Sequence, residues 1–266
     1  MDNRPIGVFD SGIGGLTVVN ALVKTLPQEA VVYVGDTARV PYGNKSTERI
    51  QQYSEEITKW LIKQGCKMIV VACNTASSQA LDGLKSKFDI PIIGVIEPGI
   101  EAAIHATQNH RIGVLGTYGT IRSDAYGKAL RKLNGNISVI SQACPLFVPL
   151  AEEGWVSGDV PETIAKTYLE NIITSDVDTL ILGCTHYPLL KTTINKVMGG
   201  KVNLVDSGET TAAVVRSVLN KLELYPENGK SGKIFCRVTD SVELFESLAG
   251  RFLDAPISNA SHIDIF

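Results

Sequence analysis

"MIVVACNTASS", residues 68–78, is an unbroken apolar run that stops at a cysteine, an asparagine and a threonine just before small, helix-compatible residues begin. Apolar continuity without polar alternation marks a strand buried on both faces, as in a parallel sheet. The polar tripeptide then lies at the strand's C-terminal end, where the chain turns into a helix. "TLILGCTHYP", residues 179–188, repeats this arrangement with Cys184, Thr185 and His186. Four roles fit a cysteine so placed: a core residue, a metal ligand, half of a redox pair, or a carrier of protons.

The same reading extends along the chain. Strands are expected at 6–10, 30–36, 68–73, 91–96, 111–117, 137–143, 179–184, 202–207 and 233–238. Helical periodicity fills the gaps. In "STERIQQYSEEITKWLIKQG", Ile50, Tyr53, Ile57, Trp60 and Leu61 share one face, with Ser46 or Thr47 as cap and Gly65 as terminator. Pro161 opens another helix, in which Ile164, Tyr168 and Ile172 recur every four residues. Strand–helix alternation of this kind predicts an α/β fold with right-handed crossovers.

The chain also repeats itself. "IGVFDSGIGG" from residue 6 matches "IGVLGTYGT" from residue 112, "VPY" at 40 matches "VPL" at 148, and "VVACNT" at 70 matches "ILGCTH" at 181. Order is preserved, which points to an ancestral duplication. The expected architecture is two pseudosymmetric α/β domains with mostly parallel sheets flanked by helices and an active site in the cleft between them. The halves would be about 1–97 and 98–207, with 208–266 as an addition.

Composition narrows the function. The 266 residues are 44% hydrophobic and 20% charged, with a formal net charge of -3 and no long run of Lys or Arg, so nucleic acid and anionic membrane surfaces are not expected partners. The opening Met1-Asp2-Asn3-Arg4-Pro5 carries no apolar leader, and no segment reaches the ~18 apolar residues of a membrane span, which makes the cytoplasm the expected location. Five cysteines are an odd number for a disulfide framework, and no C-x-x-C pair occurs, so reduced thiols are expected. In "DSGIGG" the third glycine of a dinucleotide fingerprint would fall on Thr17, no G-K-[ST] follows, and an aspartate at the mouth would repel phosphate.

Two pseudoequivalent strand ends facing one cleft would bring Cys73 and Cys184 to opposite sides of a small molecule. Such a pair suits a reaction needing an acid and a base on the two faces of one carbon. A helix N-terminus lowers a thiol from its ordinary pKa of about 8.5, which would make a thiolate accessible. Metal ligation by Cys73, Cys184, His186 and Asp10 is also chemically open, although only Cys184 and His186 have the close spacing of a ligand pair. A disulfide between the two thiols is disfavoured if substrate lies between them. The halves differ at matched positions. Asp10-Ser11 stands against Gly116-Thr117, and His186 against Thr75, so one acid and one imidazole are available to assist opposite cysteines. Asp10 can alternatively cap the helix that follows it.

Together "GVFDSGIGGLTV", "YVGDTARVPYGNKS", "VACNTAS", "PIIGVIEPG", "CPLFVPLAEEG", "LILGCTHYPLL" and "VNLVDSGET" resemble the glutamate racemases of the pyridoxal-phosphate-independent aspartate/glutamate racemase family. The resemblance spans residues 6 to 190 and runs past 200, leaving the last ~50 residues with little of it. It implies cofactor- and metal-independent interconversion of L- and D-glutamate, supplying D-glutamate for peptidoglycan, in a cytoplasmic enzyme that is commonly a homodimer. The cysteine matching Cys184 would take the proton from L-glutamate and the one matching Cys73 from D-glutamate, with Asp10, His186 and Glu152 assisting. Substrate contacts map onto Asp10, Ser11, Tyr42, Gly43, Asn74, Thr75, Thr185 and His186, with Thr117 and Thr120 as further candidates. Relatives acting on aspartate typically carry a glutamate at the position of His186, so His186 favours glutamate. The chain resembles members without an N-terminal extension, and activation by a cell-wall nucleotide precursor is therefore not expected. Cys66, Cys144 and Cys236 read as structural residues.

Overall fold

The computed structural model describes residues 2–226, 232–254, 257 and 260–265. Met1 and the remaining parts of the 208–266 addition lie outside the described residues. The chain alternates strands and helices from the start: β1 (Ile6–Asp10), α1 (Leu16–Thr25), β2 (Val31–Gly35), α2 (Thr47–Lys63), β3 (Met68–Val71), α3 (Asn74–Gln79), α4 (Leu81–Lys87) and β4 (Ile92–Gly94). A crossing helix, α5 (Ile96–Ala106), leads into β5 (Arg111–Gly116), α6 (Tyr118–Ser123), α7 (Ala125–Leu133), β6 (Ser138–Ala143), α8 (Phe147–Glu153), α9 (Asp159–Thr174), β7 (Thr179–Gly183), α10 (Lys191–Val197) and β8 (Asn203–Asp206). The second crossing helix, α11 (Ser207–Lys221), is followed by β9 (Ile234–Val238), α12 (Val242–Ala249) and a two-residue β10 (Ser261–His262).

These strands form two parallel sheets, ordered β10-β9-β2-β1-β3-β4 and β6-β5-β7-β8 among the described residues. The run β2-β1-β3-β4 of the first sheet has the same permutation as β6-β5-β7-β8 of the second. The repeated sequence motifs therefore occupy equivalent strands, β1 with β5 and β3 with β7. The C-terminal addition returns to the first sheet, where β9 pairs with β2 in parallel. The fold is α/β in two domains.

The central strands of each sheet are buried on both faces, toward which successive side chains point in turn. On β1, Val8 packs in a core with Val19 of α1 and Val215 of α11, while its neighbour Phe9 packs on the opposite face with Ile50, Ile57 and Leu61 of α2. In the second sheet, Leu180 and Leu182 meet Leu169 and Ile172 of α9, and Ile181 between them meets Ile100 of α5 and Tyr126 of α7.

Local structure refines the sequence expectations. Ser46 caps α2, accepting from the Arg49 amide at 3.4 Å, and Gly65 ends it at a positive φ of 78°. Tyr53 and Trp60 are only half-buried, and Ser54 and Thr58 fill the buried face instead. Helix α9 starts at Asp159 rather than Pro161, and its buried face is Pro161, Ala165, Leu169 and Ile172 instead of the Ile164 and Tyr168 set. The apolar runs at 68–73 and 91–96 overshoot their strands. Ala72 and Cys73 leave the sheet to start α3, while Val95 and Ile96 open α5.

At the N-terminal edge of the first sheet, opposite the ends bearing the cysteines, Lys67 and Glu29 form a 2.7 Å ion pair with both side chains buried. The Lys67 ammonium also donates to the carbonyls of Asp2 (2.9 Å) and Leu224 (2.7 Å). One side chain thus joins the entries to β1, β2 and β3 with the end of α11. Removing one partner of a buried pair strands the other charge. Glu29→Ala is expected to cost about 3 kcal/mol, read as a lower urea midpoint. Replacing both residues, Glu29→Leu with Lys67→Met, should cost less than the single change, and additive losses would show that the pair is not coupled.

Candidate active site

Both cysteine junctions open onto one cavity of about 260 Å³. This is below the ~300–1,000 Å³ usual for drug-sized ligands and suits a small metabolite. Ser11, Tyr42, Gly43, Cys73, Asn74, Thr75, Thr117, Cys184, Thr185 and His186 line it, so the structure gathers most of the residues singled out from the sequence. Asp10, Thr120 and Glu152 are not among the lining groups and stand one layer behind. The lining residues that sequence analysis did not single out as site residues are apolar or at the rim, notably Val40, Pro41, Tyr118, Pro145, Val148 and Pro149. The signal for four of them was present, since the repeated Val-Pro pairs at 40 and 148 both face this cavity. No lysine or arginine lines it among the described residues, which leaves hydroxyls, amides and His186 to meet an anionic ligand.

The halves approach this closely because glycines stand at the contacts. A Cβ on Gly14 of the first loop would collide with the His186 ring and the Thr185 hydroxyl, and one on Gly43 would come within 2.8 Å of Thr117 Cβ. The Thr17 hydroxyl reinforces the first contact by donating to the Thr185 carbonyl at 3.0 Å. Across the other side, Thr75 Oγ1 lies 2.9 Å from Thr117 Oγ1 and 3.2 Å from Thr120 Oγ1.

Cys73 is the N-cap of α3, its sulfur accepting from the Ala76 amide at 3.5 Å, and its thiol faces Ser11 Oγ at 3.8 Å. Sequence alone suggested that the helix terminus would lower this thiol. Instead burial, aided by the Asp10 carboxylate, pushes it up to about 12, outweighing the Ala76 and Ser11 hydrogen bonds. A six-residue helix offers too little to offset the loss of water. Asp10 does not cap α1, whose N-cap is Gly15. Its carboxylate is closed off from solvent, accepts from the Gly12 amide at 3.0 Å, and is raised by burial against the opposing pull of His186 and nearby amides. The Thr185 hydroxyl reaches Asp10 Oδ1 at 3.5 Å.

Cys184 has a different neighbour. Its sulfur lies 3.9 Å from His186 Nδ1, and His186 Nε2 lies 2.9 Å from Glu152 Oε1. Burial alone would lower the imidazole, but the hydrogen bonds to Cys184 and Glu152 prevail and hold it up at about 10. Phe252, from the turn after α12, packs its ring edge-on against His186 at 5.3 Å. The Glu152 side chain is 34% exposed and lines a second, smaller cavity, so the Cys184 side of the site has a polar path to solvent. The segment after β7 is not an α-helix at first. A 3-10 turn, Tyr187–Leu190, with Pro188 in it, precedes α10.

Tyr42 corrects a further expectation. It was a candidate substrate contact, yet its hydroxyl donates to buried Asp36, which also accepts from Arg39 Nε (2.7 Å) and Thr239 Oγ1 (2.9 Å). Burial, reinforced by Asp36, raises the Tyr42 phenol well above its ordinary value. The residue still lines the cavity, beside Gly43. Asp36 was not singled out from the sequence. An aspartate at a strand end gives no hint of a partner such as Thr239, about two hundred residues away.

Known proteins resemble this chain over most of its length. The sequence profile described as Asp/Glu/Hydantoin racemase matches residues 6–215. A glutamate racemase of Geobacter metallireducens is 48% identical over 262 residues, 98% of this chain and 97% of that one. The structure of glutamate racemase isoform RacE1 from Bacillus anthracis superposes with a TM-score of 0.95 at 39% identity, covering 99% of this chain and 98% of that chain. That of the Francisella tularensis glutamate racemase in complex with D-glutamate gives a TM-score of 0.93 at 41% identity, covering 100% and 99%.

His186 is raised from an ordinary 6.5 to about 10. Its protonated form therefore stabilises the fold fully below pH 6.5, and that contribution is lost as pH rises through about 10. In Glu152→Gln the carboxylate charge that helps hold the proton is gone, although an acceptor oxygen stays. NMR titration of the imidazole should then give a midpoint below that of the parent, and an unchanged midpoint would leave Cys184 as the sole cause.

Proposed function

The chain belongs to the Asp/Glu/Hydantoin racemase family, and from that premise we propose that it interconverts L- and D-glutamate by moving the Cα proton between Cys184 and Cys73, without a cofactor. The observation that carries this is the opening of both cysteines, from equivalent strands of two like sheets, onto one small cavity. Enantiomers in water have equal free energy, so the reaction needs no energy source. Its barrier is the removal of a weakly acidic proton beside a carboxylate.

With L-glutamate bound, the Cys184 thiolate takes the Cα proton and the Cys73 thiol delivers one to the opposite face. With D-glutamate the roles exchange. Burial holds Cys73 protonated in the free protein, the state required to act as acid. Cys184 can trade its proton with His186, which Glu152 supports. Asp10, raised by burial, is a proton partner on the Cys73 side. Negative charge developing on the substrate carboxylate is met by backbone N–H groups at the start of α3 and by the Asn74 amide and the Ser11, Thr75, Thr117 and Thr185 hydroxyls, donors fixed before the reaction starts. Gly43 and Tyr42 complete the substrate wall.

We place the first domain at residues 1–97 plus 208–266 and the second at 98–207, so that both crossings fall at the first turns of α5 and α11. Supply of D-glutamate to peptidoglycan, a cytoplasmic location and a homodimer belong to the same proposal and rest on the family resemblance. No helix among the described residues is long and apolar enough to cross a membrane.

The test follows L-glutamate, D-glutamate and L-aspartate by circular dichroism with metal-stripped, dialysed protein. Both glutamate signals should decay to zero while aspartate stays optically active, and decay of aspartate alone would overturn the substrate assignment. Cys73→Ala and Cys184→Ala should each lower racemisation ~10²–10⁴-fold, the usual loss with a general acid or base. Near-full activity in either variant would refute the two-base scheme.

A further inference from the structure

Behind the cavity one buried side chain bridges the two cysteine junctions. Tyr126, on α7 of the second half, is 2% exposed and belongs by its ring to the core around Ile112, Val114 and Ile181. The ring lies against two glycines. A Cβ on Gly183, the residue before Cys184, would meet Tyr126 Cε2 at 3.2 Å, and one on Gly99 of the crossing helix α5 would meet Cε1 at 3.7 Å. The hydroxyl reaches the other half, where it lies 2.7 Å from Oδ1 of Asn74, the residue after Cys73. On its far side Ser207 Oγ, at the start of crossing helix α11, stands 3.5 Å away.

An asparagine amide has an accepting and a donating end. With the Ser207 hydroxyl on the phenol's acceptor side, the Tyr126 proton goes to Asn74 Oδ1. The Asn74 NH₂ is then left for the cavity, which Asn74 lines. Donors are what a carboxylate ligand needs there, and a flipped amide would present it with an oxygen. We infer that Tyr126 is a positioning residue that fixes the Asn74 amide with its donors toward the substrate and holds the Cys73 junction in register with Gly183-Cys184. This deepens the racemase assignment and rests on it.

Tyr126→Phe keeps the ring and removes only the hydroxyl. Its KM for D- and L-glutamate should rise about tenfold, the size of one lost buried hydrogen bond, with a smaller change in kcat and little change in melting temperature. Because the phenol acts through Asn74, the double variant Tyr126→Phe/Asn74→Ala should bind no worse than Asn74→Ala alone. An unchanged KM in Tyr126→Phe, or single effects that multiply in the double variant, would overturn the inference. If the unaltered protein does not racemise glutamate, the functional assignment falls on its own. The Asn74 side-chain amide signals in the NMR spectrum, identified by their loss in Asn74→Ala, still decide the role of Tyr126. They should shift in Tyr126→Phe, and constancy would refute the positioning.

Discussion

A missing side chain at position 14 lets the two halves of this molecule share a site. The first loop lies directly on the His186 ring and the Thr185 hydroxyl, and any Cβ there would push the loop away from both. Gly43 plays the same part against Thr117. Parallel sheets send their strand ends to one edge, but two separate sheets do not by themselves bring those edges together. The approach needs surfaces without protruding atoms, and the glycines of "DSGIGG" and "VPYGN" provide them. Their place is steric, unlike that of glycines in a phosphate-binding loop.

That closeness sets the chemistry. Excluding water raises the cost of any charge in the cavity, which is why Cys73 stays a thiol despite capping a helix. On the other side the same exclusion would discharge His186, yet Cys184 and Glu152 hold its proton. Matched positions on two like sheets thus have unlike environments. Cys73 has a sealed aspartate beneath it, whereas Cys184 has an imidazole and a half-buried carboxylate leading outward.

How much of this was legible depended on the range of the interactions involved. Strands buried on both faces announce themselves by composition, and the cysteines at their ends needed only the next three residues to be noticed. The repeat between "VVACNT" and "ILGCTH" placed them on equivalent strands. That burial would decide the protonation of Cys73 was invisible, because it arises from packing between distant segments, and local helix logic gave the wrong sign for its pKa. Tyr42 was found but its hydroxyl was misdirected, since Asp36 and Thr239 meet only after β9 returns beside β2. Tyr126 and Phe252 carry no local signal. An aromatic residue on a helix, like Tyr126, or in the turn after one, like Phe252, reads as core, and both are core residues that also touch the site. Helix faces erred where small or hydroxyl side chains, such as Ser54 and Ala165, were buried in place of larger neighbours.

The unequal surroundings of the two thiols have a consequence in kinetics. A racemase works on an equilibrium constant of one, so kcat/KM must be the same for both enantiomers however the enzyme is built. An enclosed Asp10 on one side and a Glu152 that reaches solvent on the other cannot favour either product. They can only divide each direction's efficiency differently between affinity and turnover. Asymmetry in such a site is therefore visible at saturation and vanishes at low substrate, where the enzyme behaves as though its two halves were still alike.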